Sequence, residues 1–150
     1  MSVDRYRTLG GSSEGTYREP ASKFIGYVFP IADEGAFKAE AERIWKEHAS
    51  ARHPCYGRVL NNAGDRFRAK DDGEPNGTAG KPILRKLQAL DLTYSAVVVV
   101  RYFGGMLLGK SGFIHTYGAA ARLGLVVANI IEHVVMERST SNADMIGPIW

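Results

Sequence analysis

The 150-residue sequence has one cysteine, no long hydrophobic run and little net charge. A lone cysteine, Cys55, excludes an intramolecular disulfide, and the polar first 20 residues lack the apolar stretch of a secretory signal. The longest apolar runs, residues 96–100 and 123–128, are far shorter than the about 20 residues that a membrane-spanning helix needs. We therefore expect a protein of a reducing, cytoplasmic compartment with no membrane span.

The charge is small overall but unevenly distributed. There are 19 Lys and Arg residues against 16 Asp and Glu, a formal charge of +3. Residues 43–110 contain twelve basic and six acidic side chains, whereas the remainder has seven against ten. This excess indicates a surface within that stretch that faces anions.

The elements alternate between strand and helix patterns. Residues 1–20 carry Gly10-Gly11-Ser12-Ser13 and no hydrophobic period, so they are predicted to be an irregular N-terminal arm. The predicted elements that follow are a strand at 22–31, a helix from Asp33 to about 53, hairpin strands at 55–60 and 66–70, a helix beginning near Pro82, a strand at 95–103, a helix after the glycines of 104–112, and a strand at 132–138.

This order, β α β β α β α β, predicts an α+β fold: a two-layer sandwich with a mostly antiparallel sheet and helices on one face. One domain is expected over residues 21–138, with residues 139–150 as a C-terminal tail. The four consecutive valines of residues 97–100 predict a central strand covered on both faces.

The loop of residues 71–80, DDGEPNGTAG, holds three carboxylates within four residues. Three readings remain open for Asp71, Asp72 and Glu74. They could ligate a divalent cation, although the glycine and terminal glutamate of an EF-hand loop are lacking. They could act as a general acid and base, or they could cap the backbone N–H groups of a tight turn.

A second candidate site follows the strand that contains the valines. Gly104, with Gly109-Lys110-Ser111, matches the spacing of a phosphate-binding G-x-x-x-x-G-K-S loop. That loop belongs to parallel sheets with helical crossovers, which this element order does not supply. A simpler contact between an anion and the backbone near Gly104, Gly105 and Lys110 is the alternative.

His48, His53 and Cys55 suggest a metal site or a thiol nucleophile, but their spacing matches no standard zinc pattern. His48 lies on the apolar stripe of its helix, which favours a hydrogen-bonded core histidine. Cys55 is interpreted as a small buried hydrophobe.

Several segments together resemble the YigZ/IMPACT family over residues 22 to about 128. They are SKFI at 22–25, His48, His53 with Cys55-Tyr56, DDGEPNGTAGKPIL at 71–84, VVVVRYFGG at 97–105, LGKSG at 108–112 and Tyr117. The family loop usually has serine where this sequence has Asn76. Bacterial members usually add a second, ferredoxin-like domain, whereas in this sequence only a short tail follows, ending at Trp150.

The resemblance implies a fold like domain IV of elongation factor G, with an unusual left-handed βαβ crossover. It also implies that the glycines after Phe103 form a strand-to-helix turn and do not cradle a nucleotide. Eukaryotic relatives regulate translation by competing for the activator of a starvation-responsive kinase, and an association of bacterial relatives with RNA or the ribosome is suggested by fold alone.

Two function classes follow. The preferred one is a non-enzymatic binding module in translation, without a cofactor, that contacts RNA, the ribosome or a protein partner. The other is an enzyme acting on a phosphorylated small molecule or nucleotide through Asp71, Asp72 and Glu74. The candidate anion-binding residues are Arg66, Arg68, Lys81, Arg101, Gly104, Gly105 and Lys110.

The loop at 71–80 and the glycine-rich bend at 104–112 are expected to lie side by side on one surface. In that arrangement Arg101 either contacts RNA or pairs with a loop carboxylate such as Asp72. A structural pairing would remove Arg101 from the RNA-binding set.

Overall fold

The computed structural model describes residues 3–51, 54–103 and 108–136. Its elements, in chain order, are β1 (Val3–Leu9), β2 (Ser13–Glu19), β3 (Ser22–Pro30), α1 (Glu34–Glu47), β4 (Cys55–Val59), β5 (Phe67–Lys70), α2 (Gly80–Ala89), β6 (Ser95–Phe103), α3 (Gly109–Val126) and β7 (Ile130–Met136). From β3 onward this is the predicted element order.

Two antiparallel sheets form the framework. The larger has the strand order β2-β3-β6-β4-β5, and the smaller pairs β1 with β7. Each neighbouring pair of strands runs antiparallel. The α+β class and the mostly antiparallel sheet are confirmed.

Strand β6 lies at the centre of the larger sheet, and its four valines are each 0% exposed, as predicted. Because successive side chains of a strand point to opposite faces, the valines divide between two clusters. Val97 and Val99 pack with residues of α2 and α3, while Val98 and Val100 pack with residues of α1.

Helix α1 therefore covers the face opposite to α2 and α3. The expectation of two layers with all helices on one face is corrected in this detail. The physical reason is the valine run itself, because a strand that is apolar on both faces needs a cover on each.

Strands β3 and β4 both pair antiparallel with β6, so they run parallel to each other with β6 between them. Helix α1 connects them and completes a βαβ unit. The left-handed sense of this crossover stays a prediction.

The first 20 residues form two strands, so the prediction of an irregular arm is wrong. Strand β2 is an edge strand of the large sheet, and β1 pairs with β7 more than 100 residues further along the chain. Polar residues dominate both strands, so neither strand shows the apolar pattern from which a strand is predicted. On β2, a Cβ at Gly15 would come within 2.5 Å of the α3 backbone at Gly124 N, so this position has no room for a side chain.

The helices of the second face lie close to the sheet at two further glycines. A Cβ at Gly26 of β3 would approach Ala120 O of α3 to 2.5 Å, and one at Gly57 of β4 would approach Leu84 Cα of α2 to 2.7 Å. These contacts seat α2 and α3 directly on the backbone of β3 and β4. No helix among the described residues is long and apolar enough to cross a membrane.

Candidate anion-binding surface and the acidic loop

The acidic loop begins with a tight turn. The Glu74 N–H donates to Asp71 O at 3.0 Å, and the two residues between them, Asp72 and Gly73, have φ values of 47° and 97°. Left-handed backbone at both central positions is the type I′ pattern. The turn reverses the chain directly after β5.

The Asp71 carboxylate caps helix α2. Its Oδ1 accepts from the N–H groups of Ala79 at 3.2 Å and Gly80 at 2.9 Å, and its Oδ2 accepts from Gly77 N–H at 2.8 Å. The N-cap residue, Ala79, offers no side-chain hydrogen bond, so Asp71 supplies it from across the loop. This geometry agrees with the structural reading of Asp71.

Glu74 is buried and joins the loop to β6 and α3. Its Oε2 lies 2.6 Å from Arg101 Nη1, with the two side chains only 7% and 3% exposed, and Tyr117 OH donates to the same oxygen. The Arg101 guanidinium also lies 5.0 Å from the centre of the Phe113 ring. Arg101 therefore pairs with a loop carboxylate, and that carboxylate is Glu74. Asp72 Oδ1 lies 3.7 Å from Lys70 Nζ.

Cys55 and Tyr117 lie next to this pair. Burial raises the pKa of the Cys55 thiol to about 12, and burial also raises the pKa of Tyr117. The Cys55 thiol donates to Asp71 O at 2.9 Å. At neutral pH the thiol is therefore protonated and hidden, which suits a small core residue better than a nucleophile.

The three carboxylates make these contacts: Asp71 faces the α2 N-terminus, Asp72 lies near Lys70, and Glu74 faces Arg101 and Tyr117. Among the described residues, no group of three or more His, Cys, Asp or Glu side chains could hold a metal ion. This geometry gives no support to the alternative of a catalytic or metal-binding acidic cluster.

Glu74 also brings the loop to both ends of the glycine-rich bend, because Arg101 precedes the bend and Tyr117 follows it. Gly104 and Gly105 lie outside the described residues.

The other predicted cations are exposed but do not share one surface. Arg66 and Arg68 belong to the β4–β5 hairpin, Lys81 to α2 and Lys110 to α3. Arg68 pairs in register with Arg58, whose guanidinium lies over the Phe37 ring of α1. Residues directly opposite each other point to the same face, so Arg68 lies on the α1 face.

The strongest concentration of positive charge is on α2 and α3, and sequence analysis missed it as a unit. These helices contain no Asp or Glu, whereas α1 carries four glutamates and three cations. We call their five cations the basic surface: Lys81, Arg85, Lys86, Lys110 and Arg122. The absence of carboxylates from residues 80–89 and 109–126 was the available signal.

A cleft of about 420 Å³ opens on the basic surface, lined by Arg85, Lys86 and Arg122 together with Tyr17 and His115. None of the three cations makes an ion pair with a described residue. Lys38, Arg43, Arg58, Lys70 and Arg101, by contrast, all have carboxylate partners. The cleft is therefore a place where uncompensated positive charge converges.

His48 lies on the α1 side, half-buried. Its Nε2 is 2.5 Å from Tyr27 OH and its Nδ1 is 2.5 Å from Tyr102 OH, so it is hydrogen-bonded as predicted. The tyrosines come from β3 and β6, so His48 ties the end of α1 to the sheet. His53, the other candidate ligand, lies outside the described residues.

Comparison with known proteins places these features in a family. The family model of the Impact N-terminal domain matches residues 20–125. The chain is 36% identical over 139 residues to the IMPACT family member YvyE of Bacillus subtilis, covering 93% of this chain and 64% of that protein. It is 40% identical over 106 residues to the IMPACT family member YigZ of Escherichia coli, covering 69% of this chain and 52% of that protein.

A crystal structure described as that of a hypothetical protein superposes with a TM-score of 0.82 at 31% identity, covering 86% of this chain and 64% of the other. The chain thus spans between about half and two thirds of the length of these bacterial relatives.

Proposed function

Because the chain belongs to the IMPACT family, we propose that it is a non-enzymatic binding module in the control of translation that contacts RNA through the basic surface. The translation role follows the eukaryotic relatives whose loop and strand motifs this sequence resembles. A cytoplasmic location belongs to the same proposal, supported by the single buried cysteine.

The observation that carries the RNA contact is the charge difference between the two helical faces. Helices α2 and α3 present five cations and no carboxylate, while α1, on the opposite face, has one more carboxylate than cations. A one-sided cationic surface attracts a polyanion and orients it during encounter. Neutralising RNA phosphates with Lys and Arg releases condensed counterions, and this release drives binding.

Two of the earlier candidates gain no support from this arrangement. Arg101 is buried against Glu74, so its guanidinium is not offered to RNA, and Arg68 lies on the other face. Lys81 and Lys110 remain in the proposal as members of the basic surface. Arg85, Lys86 and Arg122 join them.

The test is a salt titration of binding to a fluorescent single-stranded RNA. Affinity should fall as salt rises, with a log-log slope of about −0.7 for each phosphate contact. Arg85→Ala combined with Arg122→Ala should weaken binding to all sequences. It should also make the slope less steep by the amount that about two phosphate contacts contribute. Arg68→Ala, an exposed arginine on the opposite face, is the matched control and should leave binding unchanged.

An RNA affinity that does not change with salt, or that Arg68→Ala lowers as much as the double variant, contradicts the proposal. So does divalent-dependent turnover of a phosphorylated compound that Asp72→Ala abolishes in a folded protein. Binding of an acidic protein partner with no binding of RNA would reassign the basic surface.

A further inference from the structure

The cleft on the basic surface is lined by aromatic side chains as well as by cations. Its wall includes the side chains of Tyr17 and His115, whose rings meet edge to face with centres 5.5 Å apart. Its floor includes Gly118 of α3, where a Cβ would approach Lys86 Cε to 3.4 Å. A volume of about 420 Å³ falls within the range of small-ligand pockets, roughly 300–1,000 Å³.

Hydrogen bonds hold the aromatic wall in place. Tyr17 OH donates to Glu19 Oε2 at 2.6 Å and lies 3.1 Å from His115 Nε2. Since the only hydroxyl hydrogen of Tyr17 goes to Glu19, His115 Nε2–H must donate to Tyr17. The His115 ring is therefore oriented while the residue as a whole stays exposed, and the Glu19 carboxylate does not line the cleft.

We propose that this cleft binds one nucleotide of a single-stranded RNA, with its phosphate against Arg85 and Arg122 and its base stacked on the His115 ring. This inference rests on the proposed function and adds that the RNA is bound as a single strand. An aromatic ring beside arginines is the combination that binds unpaired bases, because stacking needs a base face that a duplex hides. Phosphate contacts alone would not distinguish single strands from duplexes.

The experiment compares a single-stranded RNA with a duplex of the same strand length, using the full chain and fluorescence anisotropy at fixed salt. The single strand should bind more tightly. His115→Ala should reduce single-strand affinity by about 5- to 150-fold, the range of one base–aromatic stack, with little effect on the duplex. His115→Phe, which keeps a flat ring, should restore most of that loss.

Arg85→Ala with Arg122→Ala should weaken both RNAs, and Arg68→Ala should weaken neither. If single strand and duplex bind equally and His115→Ala has no effect, the nucleotide cleft is wrong while RNA binding by the basic surface stands. If neither RNA binds, the proposed function fails as well. Equal loss in His115→Ala and His115→Phe with intact circular dichroism also overturns stacking.

Discussion

At the scale of single residues, carboxylates of the acidic loop make hydrogen bonds and ion pairs within the protein. Asp71 caps a helix, and Glu74 joins Arg101 and Tyr117 beneath the loop. Charges that are hydrogen-bonded and removed from water are costly to separate, since removing one partner leaves the other buried without compensation. These residue types are thus needed for the shape of the loop, whatever the loop binds.

Arg101→Ala should lower the free energy of unfolding by about 3–5 kcal/mol, because Glu74 would then be a buried charge without its cation. Urea unfolding followed by circular dichroism measures this. Arg43→Ala is the control, since Arg43 pairs with Glu40 and Glu47 at an exposed position of α1 and should cost at most about 1 kcal/mol.

The double variant Arg101→Met with Glu74→Gln should recover much of the loss, because it removes both charges and leaves Tyr117 an acceptor. If Arg101→Ala costs no more than Arg43→Ala, the buried pair does not stabilise the fold.

Cys55 predicts a loss of stability at alkaline pH. Burial raises its pKa from 9.0 to about 12, so the folded state keeps a proton that the unfolded chain releases. The contribution of the protonated Cys55 thiol to folding stability is therefore complete below about pH 9 and is lost as the pH rises toward about 12. In urea unfolding, the stability gap between wild type and Cys55→Ala should therefore narrow as pH rises from about 8 to about 11. A gap that stays constant over this range contradicts the assignment.

At the scale of elements, what could be predicted depended on how local the signal was. Strand β6 was predicted with its bounds because its valine run requires burial on both faces, and α2 was predicted from Pro82 and an apolar stripe. The Glu74–Arg101 contact was foreseen only as a pairing with some loop carboxylate. Which carboxylate reaches it depends on the left-handed turn at Asp72 and Gly73.

The same reasoning explains why strand β2 and the cleft of the basic surface were not predicted from the sequence. Strand β2 carries few apolar residues, and the α3 backbone leaves no room for a side chain at Gly15, so hydrophobic periodicity had little to detect. The cleft of the basic surface joins Tyr17 of β2 to Arg85 of α2 and Arg122 of α3. The packing of α3 against both α2 and β2 brings these distant residues together.

Gly26→Ala tests how closely α3 lies on the sheet. The new Cβ would meet Ala120 O at 2.5 Å, and a backbone oxygen cannot rotate away as a side chain can. We expect a loss of about 1–3 kcal/mol or more, the range for overpacked interiors, measured by thermal or urea unfolding. Gly11→Ala, with nothing within 4 Å, should change stability by less than about 0.5 kcal/mol. Equal effects of the two variants would show that α3 has room to move.

At the scale of the whole molecule, the β1–β7 ribbon closes the fold outside the segment that the family model matches. The N–H and hydroxyl of Thr93 both donate to Arg7 O, at 2.8 and 2.9 Å, and Gly10 N–H donates to Asn129 O at 2.7 Å. Leu9 and Leu92 belong to the same core cluster as Val97 and Val99. The ribbon should therefore unfold together with the main sheet.

Leu9→Ala distinguishes this integrated ribbon from the irregular arm that the sequence predicted. Leu9 is 3% exposed in the main core cluster, so truncation should cost about 2–5 kcal/mol, the usual range for a buried leucine. It should do so within a single cooperative transition, because a domain of this size normally unfolds in an all-or-none manner. Val134→Ala is the control on the same ribbon, since Val134 is 50% exposed and should cost less than about 0.5 kcal/mol. If Leu9→Ala costs no more than Val134→Ala, or produces a separate early transition, the ribbon is an appendage whose loss leaves the five-stranded sheet intact.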